Sequence, residues 1–76
     1  MIEVKVFIQN QDRKIGAMVK ALAVEVAGFR AVKGTTKDHL ARYGFYVFHF
    51  PSDAKAEEFK ESVLMYIDSK FVAINE

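Results

Sequence analysis

The segment from Tyr43 to Phe50, Tyr-Gly-Phe-Tyr-Val-Phe-His-Phe, is a nearly unbroken run of aromatic and aliphatic side chains, and it constrains the fold more than any other feature of the sequence. Successive side chains of a strand point to opposite faces, so a run that is apolar at both parities predicts a central strand covered on both sides. A chain of 76 residues has room for one hydrophobic core rather than two, so residues 1–76 are read as a single domain. Pro51 ends the run, because proline cannot donate to a strand ladder.

The flanking segments supply the other elements. Ile2, Val4, Val6 and Ile8 alternate with Glu3, Lys5, Phe7 and Gln9, which predicts a first strand over residues 2 to 9. Asn10, Gln11 and Asp12 offer N-cap side chains, after which Ile15, Met18, Val19, Leu22 and Val26 recur at helical spacing up to Gly28, predicting a helix over 13 to 27. Gly16 falls in its first turn, where a missing side chain lets a neighbour approach closely. Phe29 to Lys33 is compatible with a short second strand, and Gly34 to His39 is a polar loop. Ser52 or Asp53 caps a second helix over 53 to 68, with Ala56, Phe59, Val63, Tyr66 and Ile67 on one face. Lys70 to Ile74 closes the chain as a last strand.

The expected order is β-α-β-β-α-β, an α+β ferredoxin-like sandwich with a four-stranded antiparallel sheet and two helices on one face. Two layers leave the other sheet face bare, and Phe7 together with aromatic residues of the long apolar strand must stand on it. Both parities of that strand are apolar, so either is open. With Gly44, Tyr46, Phe48 and Phe50 turned to the helices, Tyr43, Phe45, Val47 and His49 join Phe7. A contiguous exposed apolar patch of this kind marks a binding surface. Charge is distributed unevenly beside it: residues 28 to 50 carry Arg30, Lys33, Lys37 and Arg42 against Asp38 alone, whereas residues 52 to 69 carry Asp53, Glu57, Glu58, Glu61 and Asp68 against Lys55 and Lys60. The basic stretch could neutralise phosphates while bases stack on the rings; equally, it is a set of solvated charges guarding an edge strand.

With that parity, two stretches resemble the signatures of the RNA-recognition-motif family. Val6-Phe7-Ile8-Gln9-Asn10-Gln11 is similar to the family's hexamer, and Ala41-Arg42-Tyr43-Gly44-Phe45-Tyr46-Val47-Phe48 to its octamer. Ala41, Arg42 and Tyr46 depart from the octamer's basic, glycine and aliphatic positions. The resemblance implies single-stranded nucleic acid as the partner, with Phe7, Tyr43 and Phe45 stacking on bases and Arg30, Lys33, Lys37 and Arg42 available to phosphates. A second resemblance, to the ACT domain, rests on Asn10-Gln11-Asp12-Arg13 leading through Gly16 to Ala27-Gly28. It implies amino-acid sensing at Asn10, Asp12 and Gly16, although an N-cap explains the first two more simply. The remaining alternative is a protein-interaction surface, including a homodimer closed sheet to sheet, since a domain this small gains stability by oligomerising.

Several chemistries are not expected. The chain has no Cys and two His, His39 and His49, at positions that form no metal set. Ser52, Ser62 and Ser69 sit in no nucleophile elbow, and no glycine-rich phosphate loop is present. Glu57, Glu58 and Glu61 read as a solvated helix face. The expectation is a non-catalytic binding module without cofactor or metal. Eleven basic against ten acidic residues leave no global field to name a partner. The N-terminal sequence Met1-Ile2-Glu3-Val4-Lys5 has no signal-peptide pattern and no apolar run is long enough to span a bilayer, so a cytoplasmic protein is expected, with no membrane partner.

Overall fold

The computed structural model describes residues 2–32 and 35–75, except for the side chain of Lys37. Strand β1 (Ile2–Ile8) follows the alternation in the sequence, with Val4, Val6 and Ile8 buried and Phe7 on the other side. A 3-10 turn (Gln9–Gln11) reverses the chain, with Asn10 and Gln11 at φ of 58° and 53°. Asp12 then starts helix α1 (Arg13–Ala27): its carboxylate accepts the amides of Lys14 and Ile15 at 2.8 and 3.2 Å, two of the donors that a helix start leaves unpaired. Gly28, at φ 76°, ends the helix by donating its amide to the Val24 carbonyl.

A second 3-10 turn (Phe29–Val32) packs on α1 and leads to a short helix, α2 (Lys37–Tyr43). Thr36 caps α2 by accepting the His39 amide, and Gly44 closes it in the left-handed conformation, φ 81°, donating to the Leu40 carbonyl. Strand β2 (Phe45–Phe50), helix α3 (Asp53–Tyr66), capped by Ser52, and strand β3 (Val72–Asn75) complete the chain.

The sheet has three strands in the order β2-β1-β3, with β1 antiparallel to both neighbours. Phe7 pairs with Phe45 on one side and Ala73 on the other. One sheet face packs against α1 and α3 through Val4, Val6, Ile8, Tyr46, Phe48, Phe50 and Val72, which meet Val19, Ala23, Ala56, Phe59 and Val63 in a single core. Phe59 anchors it, its ring 5.1 Å from that of Phe48 and 4.8 Å from that of Phe50.

Four expectations are corrected. The fold is α+β, with a three-stranded sheet and three α-helices among the described residues, not the four-stranded ferredoxin-like sheet with two helices. The strand expected from Phe29 does not form: residues 29–32 make a 3-10 turn that buries Ala31, while Lys33 lies outside the described residues. The following stretch, read as a loop, holds α2, because Thr36 and Gly44 supply both of its ends. The aromatic run is also not a central strand. β2 lies at the sheet edge and β1 takes the centre, and β2 can be apolar on both faces because its outward-facing rings are packed by aromatic neighbours from β1 and α2.

Candidate nucleic-acid interface

The parity of β2 is settled by burial: Tyr46, Phe48 and Phe50 face the helices and are at most 4% exposed, whereas Phe45, Val47 and His49 stand half-buried on the helix-free face. Because Phe45 pairs with Phe7 across the ladder, their rings meet at 4.8 Å between centroids and 48° between planes, the offset geometry that aromatic quadrupoles favour. Tyr43 reaches the same cluster from the last turn of α2, 5.9 Å from the Phe45 ring. The three rings singled out in the sequence therefore converge, although Tyr43 belongs to a helix. Ala41, Arg42 and Tyr43, which the octamer resemblance sets on a strand, form the end of α2.

His39 is a member that sequence reasoning missed as part of this surface. Its ring lies 4.8 Å from Tyr43 and edge-on to Phe45 at 5.2 Å. Its Nδ1 is 2.8 Å from the Phe45 carbonyl oxygen; a carbonyl can only accept, so the imidazole donates. That bond occupies an outward-pointing backbone acceptor at the start of an edge strand, where an unpaired carbonyl invites unwanted strand pairing. The signal was available, since Thr36 followed three residues later by a residue whose amide it caps is a helix start.

Positive charge lies on the rings themselves. The Lys5 ammonium sits 5.5 Å from the centroid of Phe45, within cation–π range. Lys5 is assigned no role on sequence grounds, yet its alternation opposite Val4 and Val6 places it beside Phe7 on the open face. Of the cations chosen from the sequence, Arg42 is exposed in the last turn of α2, next to Tyr43, and Arg30 is exposed in the 3-10 turn after α1. Lys37 opens α2, but its side chain lies outside the described residues, as does Lys33. Further along the sheet, His49 and Glu3 form a cross-strand contact at 3.6 Å.

The residues of the ACT-like resemblance are used structurally. Asp12 spends its carboxylate on the α1 cap, and Gly16 lies buried against Tyr46. Among the described residues no group of three or more His, Cys, Asp or Glu is placed to hold a metal ion, and no helix is long and apolar enough to cross a membrane.

The exposed rings, 37% accessible at Phe7 and 55% at Tyr43, thus form with Phe45 and Lys5 an aromatic surface of mutually tilted rings bearing a cation. Such a surface can stack planar π-systems while offering charge to an anion attached to them. Comparison with protein-family models, with curated proteins and with solved structures finds no match.

Proposed function

We propose that this protein is a non-catalytic module that binds single-stranded nucleic acid across its helix-free sheet face. Bases stack on Phe45, Phe7 and Tyr43, and the phosphates beside them meet Lys5 and Arg42. The observation that carries this reading is the placement of the Lys5 ammonium over the Phe45 ring, beside the exposed rings of Phe7 and Tyr43. A surface built to be buried in a protein core or a dry dimer contact is depleted of charge at its centre, whereas stacking on nucleic acid requires cation and ring together.

The test is an amide NMR titration with mixed-sequence single-stranded RNA, repeated with Phe45→Ala and Phe45→Leu. Shifts in the sheet and the end of α2, with α1 and α3 little changed, are expected, and both variants weaken binding by about 1 to 3 kcal/mol, the range for one lost base stack. Phe45→Leu keeps the apolar packing, so its loss reports the ring rather than the fold. An unshifted open face, or a concentration-dependent dimer that protects Phe7 and Phe45 from solvent, overturns the proposal in favour of a protein-binding surface.

A further inference from the structure

The ring cluster does not end at β1. Phe71 precedes β3 and is 39% exposed, with the Lys70 ammonium 5.1 Å from its ring centroid, repeating on β3 the arrangement of Lys5 over Phe45. The β1–β3 ladder places Ala73 opposite Phe7, and the Gln9 amide donates to the Phe71 carbonyl at 2.9 Å, so Phe71 stands diagonal to Phe7. Diagonal neighbours in an antiparallel pair are about 7 to 8 Å apart, wider than the contact that joins Phe7 to Phe45. An open groove of about 320 Å³ has Phe7, Phe71, Ala73 and Lys70 in its lining and extends past the end of β1 to Gly44. Ala73 contributes only a methyl group, which leaves the space between the two rings free.

We infer that this groove is a second nucleotide subsite, in which a base enters between Phe7 and Phe71 over Ala73 while Lys70 meets the adjoining phosphate. The inference rests on the reading of the open face as a single-stranded nucleic-acid surface, and it adds a direction: the strand crosses the sheet from β2 over β1 to β3 rather than running along β2. Continuity through the shared Phe7, and the cation at each end, favour one extended polyanion with planar side groups over an apolar peptide, which gains nothing from Lys5 and Lys70.

Mixed-sequence single-stranded RNA of about four and about sixteen nucleotides, the span of known single-strand site sizes, separates the two subsites. In the wild-type protein the longer oligonucleotide binds more tightly. Phe71→Leu, which keeps the apolar contact but removes the π-face, lowers affinity for the longer one by about five- to a hundredfold and reduces or abolishes that advantage. Ala73→Ile fills the groove with a strand-compatible side chain and has the same effect without touching either ring. If Phe71→Leu and Ala73→Ile bind both lengths like the wild type while Phe45→Leu weakens both, the second subsite is refuted and the Phe45 platform stands. If Phe45→Leu is also without effect, the platform falls with it.

Discussion

Gly16 shows how one missing side chain sets the position of the site. A Cβ at this position would lie 2.9 Å from Cε2 and 3.2 Å from the hydroxyl of Tyr46, with the Ile8 Cδ1 at 3.5 Å. Tyr46 neighbours Phe45 in sequence and points to the opposite face, so the depth at which its ring seats against α1 sets the height of β2. Burial pushes the Tyr46 phenol above its ordinary value, with the Arg13 charge opposing, as expected for a ring driven into the helix–sheet interface. Gly16→Ala brings two opposing effects. Alanine gains about 1 kcal/mol of helix propensity over glycine, while overpacking of a filled interface costs about 1 to 3 kcal/mol. The second outweighs the first, because the added Cβ must push a core ring only 4% exposed out of its seat between α1 and β2 toward the groove beside Arg13, Ala17 and Lys20. Gly16→Ala therefore lowers the midpoint of chemical denaturation, and an unchanged or raised midpoint would show that Tyr46 shifts at no cost.

At the level of elements, α2 is the piece that assembles the site, since it delivers His39, Arg42 and Tyr43 to the edge of β2. Its seven residues are too few to be helical alone, so its caps and the burial of Leu40 hold it. Thr36→Ala removes the acceptor of the His39 amide and is expected to cost about 1 kcal/mol. The loss should appear as faster amide exchange through α2 with the sheet amides little changed; equal acceleration in β1 would mean that α2 and the sheet open as one unit. This element is also where the sequence was misread. β1, α1 and α3 were legible because each carries one uninterrupted period with a cap at its start. The stretch 29–43 has no such period: its β-compatible residues were taken for a strand although Gly28, at φ 76°, turns the chain into a compact 3-10 segment instead. The meeting of Phe7, Tyr43 and Phe45 follows from one of two parities that the sequence leaves open, and the burial of Tyr46, Phe48 and Phe50 selects it. Lys5 and Phe71 were not selected, since their importance depends on register, nor was His39, which depends on α2, where the sequence reads as a polar loop.

Across the whole molecule, two exposed apolar regions among the described residues differ in the charge that accompanies them. On the helical layer Met18, Leu64, Met65 and Tyr66 are exposed, and the groove between Met18, Leu22 and Tyr66 is bordered by Glu25, with the acidic side chains of α3 on the same layer. On the sheet face Lys5 and Lys70 lie over rings. On the proposed reading, Lys5 and Lys70 favour a polyanion at the sheet face even though the chain as a whole carries a net charge of only +1, because attraction beyond about 10 Å is screened at ordinary salt and only charges near the contact count. The salt dependence of binding turns this polarity into a measurement. Each phosphate neutralised on a single strand contributes a slope of about −0.7 to log K against log salt, so Lys5→Gln should make the slope shallower by about that amount and lower the affinity at low salt. Glu61→Gln changes the net charge by the same amount in the opposite sense, on the helical layer, and should leave the slope unchanged. If Glu61→Gln steepens the slope as much as Lys5→Gln flattens it, the oligonucleotide responds to total charge rather than to the sheet face, and specific placement of phosphates at Lys5 is excluded.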